Sequence, residues 1–542
     1  MEAIVSCFDA APLLSLIVFG PVLGGVLMYL VPAFNPANDK SGKRVSVFAF
    51  VVALTVFALS LIMLCGFDAG DTGMQFVEQA PWIPAYGISY FLGVDGISIL
   101  LVLLTTFLMP IIVLASHSIK AQLRGYLFCM LLLETAMLGT LLALDVFLFY
   151  VFWELMLAPM YFIIGIWGGK RRIYATLKFV LYTVVGSLLM LVAIIYVVWA
   201  YYGQQGEVTF MLRELIDGTV LSLKEQVWLF AAFALAFGIK IPLFPFHTWL
   251  PDAHVEAPTG GSVVLAGVLL KMGLYGYIRF AYPMFPLGAE LFGPFLAGLA
   301  VIGIIYGALM AWAQDDMKKL VAYSSVSHLG YCVLGFVALN VISTTGSIYQ
   351  MLNHGISTGA LFLLVGVLYD RRHTRAIADY GGLAAQVPIF AFLFLVFTLS
   401  SIALPLTNGF VGEFLILVGS FQTFPVLTAI AVLGVILGAV YMLTLYMKTM
   451  YGELDLERNG TLTDVNGVEL ATFIPLLVMV FVMGVFPSPF LNLMEPTVED
   501  YLAKIEAKKQ AVSMALSRST EQAVALKFVE RDDTVTNSGR GM

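Results

Sequence analysis

Long apolar runs separated by short polar stretches dominate the chain. The runs are about 20 residues long, which is enough for a helix to cross a bilayer. They are longer than the strands of a membrane β-barrel and do not alternate in polarity, so they predict helices. The predicted fold is therefore an all-α polytopic membrane protein with about fourteen transmembrane helices. The predicted spans lie near residues 12–32, 45–66, 95–116, 124–143, 146–167, 174–201, 227–248, 259–281, 290–313, 319–340, 343–369, 387–420, 425–447 and 468–488.

Basic residues alternate between the two sides of this arrangement. The odd-numbered loops carry Lys40, Lys43 and Arg44, then Lys120 and Arg124, Lys170, Arg171 and Arg172, Lys318 and Lys319, Arg371, Arg372 and Arg375, and finally Lys448 and Arg458. The even-numbered loops carry only Arg213 and Lys224. Basic loops face the cytoplasm. We therefore expect the odd loops to be inside and both termini to be outside, together with the acidic, Pro- and Gly-rich loop at 66–94.

Two of the spans are predicted to be interrupted. The seventh meets Pro242 and Pro245 directly after Lys240, and the twelfth meets Pro405 in a similar Ile-Ala-Leu-Pro-Leu context. Proline removes a backbone donor and clashes with the preceding turn, so each helix should break there. Five helices separate the two breaks, and an odd number gives the two repeats opposite orientation in the membrane, as in many transporters.

This spacing divides the chain into five parts. They are helices 1–3 in residues 1–122, a first inverted repeat of helices 4–8 in 123–282, a second of helices 9–13 in 283–450, helix 14 in 451–490 and a polar C-terminal tail in 491–542. In the tail, Tyr501 to Leu516 is predicted to form a surface helix and Asp532 to Met542 to be disordered. No long helix lying along the membrane is expected after helix 14.

Composition excludes several classes of protein. Hydrophobic residues make up 60% of the chain and charged residues 12%, against roughly 25% charged in soluble proteins. No surface for nucleic acid is indicated. Cys7, Cys65, Cys129 and Cys332 are scattered, whereas iron–sulfur clusters and structural zinc need grouped thiolates. The first apolar run has an acidic start, so it is interpreted as a retained span and not a cleaved signal.

Charged side chains inside spans are the candidate chemistry, because such residues are costly in lipid and mark ion pathways. The deepest are Glu154, Lys271 and Glu413, and Lys240 lies at the break of the seventh helix. His247, His328 and His354 lie in or beside spans and His254 follows the seventh, which adds groups that titrate near neutrality. Lysine, histidine and glutamate along one path could pass protons. The alternatives are a lysine that reaches the surface through its flexible stem and histidines that are ordinary core residues.

Three further intramembrane charges are weaker candidates. Lys178 and Arg279 lie near the ends of their spans, where reaching the surface is the simpler explanation. Glu134 is deeper, and its role is left undecided. A stand-alone transporter of a small solute and a purely structural scaffold are also considered. The first should show solute-specific groups at the breaks, and the second is disfavoured by four costly charges.

Three segments carry a resemblance to a known family. They are FYVFWELMLAPMYFIIGIWG, GIKIPLFPFHTWLPDAHVEAPTGGSVVLAGVLLKMGLYG and LPLTNGFVGEFLIL. Together they resemble the antiporter-like membrane subunits of respiratory complex I, the NADH:quinone oxidoreductase. The resemblance covers nearly all spans and implies fourteen core helices with the same broken helices and inverted repeats. Glutamate at the Glu413 position is typical of the chain M (mitochondrial chain 4) subfamily, whereas the chain L and N subfamilies carry lysine there.

The resemblance also implies a function and its residues. Glu154 would pair with Lys240, Lys271 would be the central lysine and Glu413 the terminal residue of a proton relay, with His247, His328 and His354 as connecting groups. The chain would translocate protons without redox chemistry of its own. NADH, FMN, iron–sulfur clusters and quinone would belong to partner subunits, among them the paralogous chains L and N, in the lipid of a bacterial inner membrane. A subunit of a multi-subunit cation/proton antiporter or of a membrane-bound hydrogenase remains the alternative.

Overall fold

The structure, a computed structural model, describes residues 12–35 and 39–538, with side-chain environments as far as Ser517. Within this part of the chain, twelve helices are long and apolar enough to cross a membrane. They are α1 (Leu13–Leu30), α2 (Lys43–Gly66), α3 (Ile99–Ser118), α4 (Leu123–Leu142), α5 (Val146–Trp167), α6 (Arg172–Gln205), α8 (Thr259–Met284), α9 (Pro286–Trp312), α10 (Met317–Val337), α11 (Val341–Arg372), α13 (Pro425–Met450) and α14 (Gly467–Val485). The mostly helical, multi-pass fold is confirmed.

The two predicted interruptions are present and are not among those twelve helices. The seventh segment consists of α7a (Leu223–Lys240) and α7b (Trp249–Glu256), and the twelfth of α12a (Pro388–Ser401) and α12b (Asn408–Thr423). Two backbone hydrogen bonds with the same spacing close each break. In the seventh segment, Leu243 N donates to Gly238 O (2.7 Å) and Phe246 N to Leu243 O (2.7 Å). In the twelfth, Leu404 N donates to Leu399 O (3.0 Å) and Thr407 N to Leu404 O (3.1 Å). Backbone groups freed by the prolines are thus satisfied inside the protein, as lipid requires.

A second pair of matching features lies five helices apart. Asp145 accepts backbone hydrogen bonds at the start of α5, and Asp316 does so at the start of α10. Each aspartate also forms an isolated β-bridge to a later loop, Asp145 with Met211 and Asp316 with Ala376. An aspartate that caps the first turn satisfies amides that have no partner within the helix. The recurrence of this cap with the break pattern is the relation expected of the predicted inverted repeats.

A β-hairpin occupies the loop between α2 and α3. Strand β1 (Gln75–Ile83) pairs antiparallel with β2 (Ile88–Val94). The turn needs Gly87 in the left-handed region (φ 66°), where a side chain would also collide with the carbonyl of Val208. The hairpin is a small strand element in a segment whose sequence indicated only a loop.

The C-terminal region differs from the prediction. One helix, α15 (Ser488–Ser538, 51 residues), follows α14, so the expected absence of a long helix after the last span is wrong. The predicted surface helix at 501–516 is only part of it, and Asp532 to Ser538 is helical, while residues 539–542 lie outside the described residues. The physical reason is a stripe of buried side chains that packs α15 onto the membrane domain. The stripe comprises Met494, Val498, Ile505 and Val512.

Contacts of α15 show where it lies. Lys509 pairs with Glu290 at the start of α9 (3.2 Å), and Lys508 Nζ donates to the carbonyl of Thr219 (3.3 Å). Both partners are on the side that carries the β-hairpin, which the loop charges predict to be outside. The helix therefore runs along that face of the membrane domain.

The most enclosed helices form the centre of the domain. All of the apolar window of α8 is buried inside the protein, as is 94% of those of α10 and α11, against 28% for α2 and 33% for α13 and α14. The central three helices carry Lys271, His328 and His354. A charged group on them is removed from both lipid and solvent.

Candidate functional site: a buried axis of ionisable side chains

Lys271 and His354 are in direct contact at the centre of the protein. Lys271 Nζ lies 2.7 Å from His354 Nδ1 and also donates to the carbonyl of Ala266. That carbonyl belongs to a π-helical turn, Leu265–Leu269, within α8. A π-turn changes the regular hydrogen-bonding ladder of a helix and is frequent at functional sites. The local departure from α-helix thus supplies an acceptor for an amine that is 1% exposed.

The contact continues toward the broken twelfth helix. The rings of His354 and His328 are 5.9 Å apart between centroids. His328 Nδ1 lies 3.0 Å from Glu413 Oε1, and Gln350 Nε2 donates to the same oxygen at 3.0 Å. Four of the predicted relay residues, Lys271, His354, His328 and Glu413, therefore form one buried series from the middle of α8 to α12b.

A small cavity fills the space beside the two histidines. It has a volume of about 10 Å³ for water centres and is lined by polar groups of α10, α11 and α12a, and space of this order holds about one water molecule. Two buried atoms on its wall, His354 Nε2 and Asn353 Oδ1, have no hydrogen-bond partner in the protein. Ser401 Oγ approaches His328 Nε2 at 3.3 Å. A water here would satisfy orphaned polar groups and join the two imidazoles.

The first half of the axis is less connected. Lys240 Nζ has no hydrogen-bond partner and lies 5.2 Å from the centre of the Trp153 ring, a cation–π geometry. The carboxylate of Glu154 is near enough to act on its charge, yet Glu154 Oε1 is also unpartnered. The break itself is held by Trp249, whose Nε1 donates to the carbonyl of Ile239 at 2.8 Å. Lys240 is thus a buried amine held beside aromatic rings and not in a closed ion pair.

His247 lies in an aromatic cluster and not in the hydrogen-bonded series. Its ring stacks on Phe244 at 5.7 Å and meets Tyr306 edge-on at 5.0 Å. Neither ring nitrogen has a hydrogen-bond partner in the protein. The structure therefore does not join His247 directly to the other predicted relay residues.

The expectation that Arg279 reaches the surface is wrong, whereas Lys178 is partly exposed near the end of its helix. Lys178 pairs with Asp252 of α7b at 2.7 Å. Arg279 is 8% exposed and pairs with Asp95 at 2.6 Å, across the packing of α8 against the residues that precede α3. Although burial favours a higher value, the Arg279 guanidinium and hydrogen bonds from Ser98 hold the pKa of Asp95 below its usual range. Each of the two basic side chains pairs with a carboxylate that is distant in the sequence. The spacing of residues along the chain does not reveal such pairs.

Glu134 is fully buried in α4, and both of its carboxylate oxygens lack a partner. It is not part of the hydrogen-bonded series.

Two buried ionisable groups were missed or left out of the predicted site. His254 in α7b is fully buried, stacks on Phe362 at 4.6 Å and has no partner at either ring nitrogen. Lys318 was assigned to a basic loop, but it is 5% exposed and donates to the carbonyl of Ala257 at 2.5 Å. The helix cap at Asp316, readable from sequence, was the signal that Lys318 enters a helix.

The thiols and the possible metal ligands are dispersed over the described part of the chain. Cys65, Cys129 and Cys332 are free thiols, and Cys7 lies outside the described residues. Among the described residues, no group of three or more His, Cys, Asp or Glu could hold a metal ion.

Comparison with known proteins agrees with this geometry. Residues 143–438 match the family model described as NADH:quinone oxidoreductase/Mrp antiporter, and residues 41–142 match the amino terminus of NADH-ubiquinone oxidoreductase chain 4. NADH-quinone oxidoreductase subunit M of Rhodobacter capsulatus is 47% identical over 513 residues, which cover 92% of this chain and 99% of the relative. The chain belongs to the NADH-quinone oxidoreductase subunit M/chain 4 family. NADH-ubiquinone oxidoreductase chain 4 of Arabidopsis thaliana is 43% identical and covers 90% of this chain and 96% of its own length.

Solved structures extend the likeness to three dimensions. A chain of respiratory complex I from Thermus thermophilus matches this subunit M/chain 4 family member with a TM-score of 0.82 and 34% identity, covering 91% of this chain and 99% of that one. A chain of the Mrp complex from Dietzia sp. DQ12-45-1b matches with a TM-score of 0.77 at 21% identity, which shows a shared fold alone. The resemblance that the sequence motifs carry is thereby confirmed, and the fold belongs to a chain of a multi-subunit assembly.

Proposed function

We propose that this chain is a proton-translocating membrane-arm subunit of NADH:quinone oxidoreductase. The buried series Lys271–His354–His328–Glu413 is the observation that carries the proposal. Lysine, imidazole and carboxylate can each hold or release a proton. Along the series, Lys271 and His354 are 2.7 Å apart, the two imidazole centroids are 5.9 Å apart, and His328 and Glu413 are 3.0 Å apart. Membership of the subunit M/chain 4 family supports coupling to NADH oxidation.

Protons would move between neighbouring groups along this axis. The Lys271 ammonium gives a proton to His354 Nδ1, and the imidazole releases one from Nε2 toward the cavity. His328 receives it at Nε2 and passes the Nδ1 proton to Glu413. Glu154 and Lys240 would form the first part of the relay, with His247 as a more peripheral member. A change in charge at one group alters the protonation equilibrium of the next. An interaction of about 1.36 kcal/mol between the two groups changes that equilibrium about tenfold.

The chain itself would carry no redox cofactor. NADH, FMN, iron–sulfur clusters and quinone would be handled by other subunits, and the neighbours in the membrane would include the paralogous chains L and N. The host membrane would be a bacterial inner membrane, with both termini on the periplasmic side. The five-part division, with inverted repeats at 123–282 and 283–450, belongs to this proposal and is supported by the matching breaks and aspartate caps.

The test is replacement of Lys271 by methionine in the intact complex. Methionine has a similar length and no proton to exchange, so proton pumping per NADH oxidised should fall while assembly is kept. Lys224, an exposed lysine in the first turn of α7a, provides the matched control as Lys224→Met. Unchanged pumping in a fully assembled Lys271→Met complex would overturn the relay.

A second candidate function is a subunit of a cation/proton antiporter or membrane-bound hydrogenase. The family description that names the Mrp antiporter favours this alternative. Purification of the tagged chain in mild detergent separates the two. NADH:quinone activity with iron–sulfur subunits supports complex I, whereas small membrane subunits without redox centres support the antiporter.

A further inference from the structure

Two buried amide side chains of α11 extend the contacts of Glu413. Gln350 and Asn353 are three residues apart, so they lie on the same face of the helix, and they are 3% and 1% exposed. Gln350 Nε2 donates to Glu413 Oε1 at 3.0 Å. Asn353 Nδ2 donates in turn to Gln350 Oε1 at 3.0 Å. The two amides therefore form a hydrogen-bonded pair that ends on the carboxylate of Glu413.

The contacts of this amide pair fix the orientation of both amides. If the Gln350 amide were flipped, its oxygen would face the oxygen of Glu413 and its nitrogen would face the nitrogen of Asn353, so both hydrogen bonds would be lost. Because Asn353 Nδ2 is already committed, the free end of the pair is Asn353 Oδ1, which has no hydrogen-bond partner in the protein. Asn353 lines the small cavity beside the histidines. The pair thus presents a hydrogen-bond acceptor, and not a donor, to this cavity.

Gly412 provides the space that the amide pair occupies. A methyl group at this position would overlap both Gln350 Oε1 and Asn353 Nδ2. The residue directly before Glu413 is therefore small enough for α11 to bring both amides close to the carboxylate. The backbone of α12b and the side chains of α11 fit together at the pair.

The serines on the cavity wall bond to other side chains. Ser357 and Ser400 line the cavity, and their hydroxyl oxygens are 2.6 Å apart. Ser400 Oγ also donates to Asn408 Oδ1 at 2.6 Å. These hydroxyls already have partners, whereas His354 Nε2 and Asn353 Oδ1 have none. The two unpartnered atoms are thus the groups that a water in the cavity would satisfy.

The two unpartnered atoms have opposite hydrogen-bonding roles. His354 Nδ1 lies 2.7 Å from Lys271 Nζ. When the Lys271 ammonium donates to this nitrogen, the proton of the neutral imidazole is on Nε2. A water in the cavity would then accept from His354 Nε2 and donate one hydrogen to Asn353 Oδ1. Only its second hydrogen would remain free to be passed to His328.

We propose that Gln350 and Asn353 are positioning residues that set the direction of proton transfer across the cavity. Asn353 Oδ1 holds one hydrogen of the water. The water takes the proton of His354 Nε2 and gives its other hydrogen to His328 Nε2, so one proton enters and one leaves. Gln350 holds Asn353 in place and stabilises ionised Glu413, and its bond weakens when Glu413 takes up the proton, because hydrogen bonds to charged groups are the stronger kind. This inference rests on the proposed relay function.

Substitutions at Gln350 separate positioning from packing. Gln350→Met has a similar length and still fills the space beside Gly412, so a packing role alone predicts normal pumping. The positioning role predicts a proton-pumping rate about tenfold lower or less, the size expected when one hydrogen bond to a charged group is lost. Gln350→Glu should restore most of the rate, because two carboxyl groups in contact share one proton and the variant keeps a donor toward Glu413. A Gln350→Glu complex that pumps no faster than Gln350→Met would overturn the role of this donor.

A double variant tests whether the two amides act together. Asn353→Leu keeps a similar volume but removes the acceptor, and it should lower the pumping rate as Gln350→Met does. If the residues form one unit, Gln350→Met/Asn353→Leu should pump no more slowly than the slower single variant. Losses that multiply in the double variant would show independent roles and overturn the pair.

The experiment uses the intact complex in inverted membrane vesicles, with NADH-driven proton uptake and subunit content measured together. Gln226→Met is the matched control, because Gln226 is also buried but bonds only to the backbone of Leu221 and Leu287. The assembled control should pump normally, and a loss equal to that of Gln350→Met would overturn the specific role of the pair. Normal pumping in Gln350→Met and Asn353→Leu with failure in Lys271→Met overturns the pair and leaves the relay standing. Normal pumping in Lys271→Met overturns the relay itself.

Discussion

His328 is the residue on which the second half of the proposed relay depends most directly. It contacts Glu413 through Nδ1 at 3.0 Å, and its Nε2 faces Ser401 and the cavity shared with His354. The substitution His328→Phe keeps an aromatic ring of similar size in the buried space. It removes both nitrogens and therefore the path across the gap of 5.9 Å between imidazoles.

The size of the effect follows from the contacts at Glu413. Its Oε1 has two donors, His328 and Gln350, and His328→Phe leaves only one. A hydrogen bond to a charged group contributes about 1.5–3 kcal/mol. At 1.36 kcal/mol per factor of ten, loss of this donor should disfavour the ionised form of Glu413 by about 10- to 150-fold, so the carboxyl should hold its proton and not pass it on. The pumping stoichiometry should therefore fall before the stability of the complex does.

The assay compares protons pumped per NADH oxidised in vesicles carrying the assembled complex. His117→Phe, at an exposed histidine in the last turn of α3, makes the same chemical change away from the axis. A His328→Phe complex that pumps with full stoichiometry would refute the assignment of this histidine as the link between Lys271 and Glu413.

Three other predictions concern stability and packing. Asp95→Asn should destabilise the protein by about 3–5 kcal/mol, because Arg279 stays buried without its carboxylate, and thermal unfolding in detergent should detect this. Because the pKa of Asp95 is depressed, this pair stabilises the fold above about pH 4, and its contribution is lost as the pH falls further. The difference in stability between the Asp95→Asn variant and the unaltered protein should therefore shrink in acid. Gly412→Ala places a methyl group against Gln350 and should cost about 1–3 kcal/mol by overpacking while weakening pumping. Glu134→Leu removes a buried carboxyl without partners and should leave pumping intact and the melting temperature unchanged or higher, so a pumping defect would place Glu134 in the pathway.

The broken helices show how much local sequence determines. Proline at 242 and 405 disrupts helix geometry through its own ring and missing donor, so each break could be located from sequence. The helices end at Lys240 and Ser401 as expected. Apolar run length likewise gave the spans, because a bilayer core has a fixed thickness. Motif resemblance gave the family and the candidate relay residues before any contact was known.

Only the tertiary structure decided which charges meet. His328 and Glu413 are 85 residues apart, Arg279 and Asp95 184 residues apart, and Lys271 and His354 83 residues apart. Hydropathy along one helix carries no information on the partner that another helix supplies. For the same reason Lys318 resembled a loop cation although it is buried, and α15 resembled a polar tail although its apolar stripe packs along the membrane domain. Burial of a charge is a property of the assembled helices, and the proposed relay depends on it.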